Sequence, residues 1–356
     1  MPSVLGFQAN ITRQFGAYRS RNIGGPDILP ESFNKFFTFN RLYTLRWELT
    51  RSLTLDFTAS NNAWVDEDSG RLNKEQRHLM WDRFWRGGRN VLYNQNTNVT
   101  YTLPTSKIPL LDWTTVKAGY AASYTWTAAS QLLPTLGNTL QNTQQRTVLA
   151  DLDFTRLYSK FKILRGLDQP PPRMIMVNGK SVPDTAKTRK PVVAPVASTL
   201  NGFPKAFAKI LTSLKHVTFN YTDNSGSTIY GFLDSTRILG MDFHSMQPGW
   251  KYVFGQRADT NFINKLGQKN LISRDSTLNN QNLISFTQKI SASAVLEPIR
   301  DLHIAINIDK TFGQNYSELY KDTAGGSGYS RLNPYLAGTF SVSFISYKTL
   351  DRRAHV

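Results

Sequence analysis

From Val116 to Ala128 every second residue is apolar or aromatic: Val116, Ala118, Tyr120, Ala122, Tyr124, Trp126 and Ala128. The residues between them, Lys117, Gly119, Ala121, Ser123, Thr125 and Thr127, are small or polar. A period of two over such a run predicts a β-strand with two unlike faces. It is about twice the mean strand of roughly 5–6 residues. A strand of that length predicts a wall about as thick as a membrane. Pro104 and Pro109 precede it and cannot donate to a ladder, so they predict a turn, with Trp113 at the start of the new strand.

The pattern recurs along the chain. Tyr43, Leu45, Trp47 and Leu49 alternate with Thr44, Arg46 and Glu48; after Thr50-Arg51-Ser52, Leu53, Leu55, Phe57 and Ala59 alternate with Thr54, Asp56 and Thr58. This predicts a tight hairpin with one apolar face. Further strands are predicted at 5–11, 93–103, 145–154, 217–221, 284–296, 302–312 and 340–344, giving ten long strands. Short turns are expected at 50–52, 104–112 and 297–301, and long loops at 15–36, 62–90, 129–144, 224–282 and 314–335. If 155–216 is an insertion on the short-turn side, every long loop falls on the other side, which is the pattern of outer-membrane barrels. That parity requires STIYGFL (227–233) to belong to a loop and not to be an eleventh strand. Tyr93 and Tyr101, eight residues apart on one face, differ in height by about 20 Å at ~3.3 Å per residue and ~40° tilt, which suggests two aromatic girdles.

The fold class expected is therefore all-β: an antiparallel up-and-down transmembrane wall, with strands 1–6 in residues 1–154, an insertion at 155–216, and strands 7–10 in 217–356. The insertion differs in kind. LYSKFKILRGL carries Leu157, Tyr158, Phe161 and Leu164 at helical spacing, and QPPPRM stops it. A basic, Pro-rich stretch runs to about Val196, and a second amphipathic helix is expected at 204–215.

Composition narrows the classes. With no cysteine, neither a disulfide framework nor a thiolate metal site is possible. No window holds 18 consecutive apolar residues, so a transmembrane helix is excluded, but not a barrel. The formal net charge is +17, yet residues 155–216 hold 12 Lys/Arg against 2 Asp. The aromatics lie in the strands, apart from that basic cluster, so nucleic acid fits poorly as a partner. The basic insertion is either a hydrated segment or a docking surface for an acidic periplasmic partner. The chain starts alternating at Leu5 without a charged and apolar leader. It is thus expected to be cytoplasmic or an internal piece of a longer protein.

Candidate chemistry is sparse. Asp151 and Asp153, two apart on a polar strand face, form a possible acid–base pair or simply line a wet lumen. Asp66, Glu67 and Asp68 before Gly70 lack the spacing of a calcium loop. The five histidines show no HxxxH or HExxH spacing. Gly325-Gly326-Ser327-Gly328 lacks the lysine of a phosphate loop. No catalytic, metal or cofactor residue is assigned; an outer-membrane hydrolase would need a Ser/His/Asp constellation these histidines do not offer.

Beyond pattern, LPTSKIPLLDWTTVKAGYAASYTWTAAS (103–130) resembles a stretch of the SprA/Sov family, giant outer-membrane translocons of the type IX secretion system, which also serves gliding motility. RNIGGP (21–26), FNKFFTFNRLYTLRW (33–47), LGNTLQNTQQRTV (136–148), LGMDFHSMQPGWKYVFGQ (239–256) and LEPIRDLHIAINIDKTF (296–312) are similar to it in the same order. The resemblance implies a single-chain barrel of about 36 strands, a lumen wide enough for folded cargo, and partner subunits that plug or gate it. It implies that Pro248, Gly249 and Trp250 through Gly255 belong to an extracellular loop over the lumen. Ten strands would then be an internal section of wall. Its lumen would be lined by Asp56, Asp151, Asp153 and Asp309, and its periplasmic turn formed by Pro104, Pro109 and Trp113. The expected partners are outer-membrane lipid, secreted protein cargo, and plug and periplasmic subunits, reached through residues 155–216. The alternative is a small self-contained porin or receptor barrel, which would survive alone in detergent with heat-modifiable migration on a gel.

Overall fold

The structure, a computed structural model, describes residues 1–20, 30–161, 174–177, 180–183, 212–237, 239–299, 302–323 and 328–343. Ten strands form one antiparallel sheet: β1 (Val4–Tyr18), β2 (Ser32–Thr50), β3 (Leu53–Trp64), β4 (Arg89–Thr102), β5 (Thr114–Thr127), β6 (Asn138–Asp153), β9 (Leu214–Phe232), β10 (Asn282–Ile299), β11 (Leu302–Asp322) and β12 (Tyr329–Val342). Neighbours in the sheet are neighbours in sequence, except that β6 pairs directly with β9 across the insertion. Within the insertion β7 (Met174–Val177) and β8 (Lys180–Pro183) form a separate two-stranded hairpin. β1 and β12 are the edges of the large sheet. The edge strand β12 tolerates Pro334, with Asn333 at φ 51° and a register shift opposite Glu318, since an edge residue needs no inward donor.

The up-and-down order and ten strands agree with the sequence pattern, but the strands are longer than it indicated. STIYGFL is neither loop nor eleventh strand. Residues 227–232 are the second half of β9, paired with β6 and with β10. The loop expected at 224–282 therefore starts at Leu233. β6 likewise begins at Asn138, so the expected 129–144 loop spans 128–137, and the 314–335 loop shrinks to 323–328. These segments looked like loops because their alternation is polar: Gln141, Asn142 and Thr143, then Asn224, Ser225 and Gly226.

Helices fill the remaining loops. In the 65–88 connection, α1 (Lys74–Trp85) starts at a capping box in which Asn73 and Gln76 satisfy each other's backbone N–H. α2 (Phe154–Lys160) opens the insertion, capped by Asp153. In the 233–281 loop, α3 (Trp250–Val253) and α4 (Thr260–Gln268) follow, the latter capped by Asp259 onto the Phe262 N–H at 2.7 Å. α2 has Phe161 as its C-cap, and the rest of LYSKFKILRGL (162–167) lies outside the described residues; the strand β9 takes Leu214 and Lys215 from the expected second helix. The rest of that helix (204–211), RNIGGP, most of the basic stretch, Gly325–Ser327, Phe344 and the C-terminal residues lie outside the described residues.

Register fixes the faces. The rows Tyr93–Trp126–Leu140–Ile229 and Gln95–Tyr124–Asn142–Ser227–Ile284–Tyr316 run across adjacent strands on one face, here the aromatic face. Asn98–Ala121–Gln145–Asn224–Thr287–Gly313 run across the other, polar face. The main core lies at the long-loop end of the aromatic face, where Tyr93, Tyr124, Trp126, Leu140 and Ile229 meet Met241, Tyr252, Val253, Ile263 and Leu266 of the 233–281 loop. Beside it α1 seats Met80 and Phe84 on Phe37 and Phe39 of β2. Tyr93 is 3% exposed within this core and Tyr101 is 40% exposed. The two tyrosines are therefore not a matched pair of girdles: one is packed beneath the loop.

Candidate functional site: a two-faced wall and its folded loop

The short-turn half of the aromatic face is bare and, apart from Lys310, apolar. Val116, Val148, Ala150, Phe219, Ala292, Ile304 and Ile308 lie on it in register, with Val148, Phe219, Ile304 and Ile308 exposed. Higher on the same face the residues turn polar: Asp223 and Gln288, then Thr97, Gln144, Ser225 and Gln314, then Gln95, Asn142 and Ser227. Buried polar groups need partners, and the loop supplies many of them. Asn142 Nδ2 donates to the Tyr252 carbonyl at 2.9 Å and the Gln256 carbonyl at 2.8 Å, and its Oδ1 accepts from Ser227 Oγ. Tyr120 Oη donates to the Phe254 carbonyl, Tyr124 Oη to Gly240 at 3.0 Å, and Trp126 Nε1 to Asp234 at 3.1 Å.

The segment Pro248–Gly255 is the centre of this contact. Gly249, at φ 95°, precedes α3; Trp250 stays half exposed and stacks on Phe254 at 6.1 Å. Gly255 has φ 94°, and a Cβ there would lie 2.9 Å from Ala122 Cβ and 3.0 Å from the Thr143 carbonyl oxygen. Only glycine combines that backbone with so close an approach to the sheet. Tyr252 is buried and stacks on Phe262 at 4.9 Å; its burial pushes the phenol pKa up, with the Ser227 hydroxyl opposing. Farther along, Asp275 takes hydrogen bonds from the Thr135 hydroxyl and from the Thr277 hydroxyl and N–H, which hold its carboxyl down at about 2. It ties the 233–281 loop to the 128–137 loop.

The expected lumen residues lie on the opposite, polar face, and the structure does not gather them. Asp56 sits 3.6 Å from Arg46 on the neighbouring strand. Asp151 lies 2.9 Å from His216 Nε2 on β9, a partner that becomes visible only once β6 is known to pair with β9. Asp153 is a cap: its Oδ1 accepts the Thr155 and Arg156 N–H groups. Asp151 and Asp153 therefore serve different partners. Asp309 stands exposed on β11, its backbone joined to Ser343.

At the short-turn end, Trp113 Nε1 donates to the Leu110 carbonyl at 2.8 Å and its ring lies 5.1 Å from Phe154. Lys160 reaches back from α2 to Asp112 and to the Pro109 carbonyl. A short 3-10 turn at Thr105–Lys107 follows Pro104. The 104–112 turn and the start of the insertion thus form one unit. The acidic run is fully committed to arginines: Asp66 to Arg89 at 2.9 Å, Glu67 to Arg13 at 2.6 Å and Asp68 to Arg83 at 3.3 Å. Among the described residues no group of three or more His, Asp or Glu side chains is placed to hold a metal ion.

No protein-family model matches the chain, and no curated protein matches it either.

Proposed function

We propose that the chain is a section of the wall of a very large outer-membrane barrel of the SprA/Sov type, through which the type IX secretion system exports folded cargo and supports gliding motility. The observation that carries this reading is the change of character along the aromatic face. Nineteen residues of β9 at ~3.3 Å each and ~40° tilt reach a height of about 48 Å, against a lipid-facing apolar band of about 25 Å. The bare apolar half matches that band and meets outer-membrane lipid. The polar half, clothed by the 233–281 loop and α1, stands above it at the cell surface.

The polar face, with Asp56, Asp151 and Asp309, then lines a hydrated lumen. A sheet cannot exchange its inner and outer faces midway, so the Pro248–Gly255 loop buttresses the wall from outside instead of lying over the lumen. Passage of cargo requires no covalent chemistry from this chain, which acts as a conduit and not an enzyme. The open edges β1 and β12 require further strands beside them, because lipid does not tolerate unpaired backbone. The basic insertion, on the periplasmic side, is the surface for plug and periplasmic subunits.

The absence of cysteine permits a direct test. Asn224→Cys on the polar face and Val148→Cys on the apolar half, each placed in the exporting cell's protein, are treated with a thiol crosslinker during export. Cargo is expected to be captured from position 224 and not from 148. Capture from 148 alone, or from neither while the protein reaches the surface, overturns the reading.

A further inference from the structure

At the long-loop end of the aromatic face lies an open cavity of about 1020 Å³, at the upper end of the range of small-molecule sites. Its walls come from β2, the stretch from the end of α1 into β4, the stretch from the end of β5 through the 128–137 loop into β6, and the 233–243 region. Four arginines line it, Arg41, Arg86, Arg89 and Arg237, and among the described residues no carboxylate does. Two are already neutralised, Arg89 by both oxygens of Asp66 at 2.9 and 3.1 Å and Arg86 by Asp82 at 2.9 Å. Arg41 and Arg237 form no ion pair among the described residues.

Arg41 is held in place before any ligand arrives. Its Nη2 donates to the Gly87 carbonyl at 3.2 Å and to Asn90 Oδ1 at 3.1 Å, and the guanidinium lies 4.9 Å over the Phe39 ring. Its buried Nε–H meets no protein acceptor. A fixed guanidinium loses little freedom when it binds, and its planar fork suits an oxyanion. Phe243, 56% exposed, adds an aromatic surface at the rim.

We infer that this cavity binds a sugar-sized molecule carrying a phosphate group. Two uncompensated guanidinium charges match the roughly −1.5 to −2 of a phosphomonoester near neutral pH better than a single carboxylate. The volume leaves room for the sugar. The phosphate can belong to a soluble sugar phosphate or to the headgroup of a phosphorylated glycolipid. The inference does not rest on the transport reading, since it uses the cavity alone.

The test is equilibrium dialysis of the whole protein in detergent against radiolabelled glucose 6-phosphate, with inorganic phosphate and unphosphorylated glucose as companions. Flotation with vesicles containing monophosphoryl lipid A, or phosphatidylcholine alone, distinguishes the lipid source. One saturable site for glucose 6-phosphate, or selective capture by the lipid A vesicles, is expected, with glucose and plain vesicles inactive. Arg237→Gln, at an exposed position, should weaken binding at least tenfold, while Arg156→Gln, on α2 at the opposite end of the sheet, changes it less than threefold. Arg41→Gln is read only where its circular dichroism and melting match the parent. Absence of binding to both phosphorylated probes, equal binding of glucose, or an unchanged Arg237→Gln overturns the inference.

Discussion

Two residues, one in the loop and one on the face it covers, show how single positions hold the contact. Gly255 combines φ 94° with sheet atoms on two sides. Gly255→Ala is expected to cost about 1–3 kcal/mol of local stability, measured as faster hydrogen exchange across 239–268 with exchange in β1–β3 unchanged. Gly70 has a similar φ of 78° but nothing within 4 Å of its absent Cβ, so Gly70→Ala carries only the backbone penalty of about 1 kcal/mol. Asn142 is 1% exposed and serves two loop carbonyls. Asn142→Ala strips the Gln256 carbonyl of this donor, while the Tyr252 carbonyl keeps the Gly255 N–H at 3.0 Å, a loss of about 1–3 kcal/mol; chemical denaturation should show the loop unfolding ahead of the sheet. Neither role was legible in sequence. Asn142 appeared in a polar run, and only the register places it under Tyr252.

Among the elements, the strands were the legible part because a period of two survives translation into burial wherever one face is apolar. The same signal failed where the covered face is polar, as in the first part of β6 and the second part of β9. There burial comes from the 233–281 loop, 110 residues on from Asn142 to Tyr252 and 25 on from Ser227, and no local pattern records it. α1 was missed for a related reason: its apolar anchors Met80 and Phe84 are few among Lys74, Glu75, Arg77, Asp82 and Arg83. The clasp between the 128–137 and 233–281 loops has a pH signature. The Asp275 carboxyl titrates at about 2 in the fold against 3.8 for the free side chain. A lowered pKa means that its stabilisation is present above about 4 and is lost as pH falls toward 2. Peptide-level hydrogen exchange at 128–137 and 271–281 should therefore rise over that interval beyond the trend of the sheet, and Asp275→Asn should remove the pH dependence.

For the whole molecule, the two faces make opposite demands. Ile308 and Asn307 are adjacent on β11 and point to the apolar and polar faces, opposite Ala292 and Ser293. If the apolar face meets lipid as proposed, Ile308→Arg should disfavour membrane insertion by about 2–4 kcal/mol. Asn307→Arg should leave it unchanged, as checked by recovery in the outer-membrane fraction. The direct β6–β9 pairing has a further consequence for assembly. Loop-closure cost grows only as (3/2)RT ln n, so spanning the 60 residues of 154–213 costs about 1.6 kcal/mol more than spanning ten. The 16-residue β6–β9 ladder can offset so small an entropic penalty many times over. The sheet can thus grow strand by strand through its middle almost regardless of what is inserted there, and that junction is free to lengthen, shrink or change its sequence without disturbing the order in which the wall zips together.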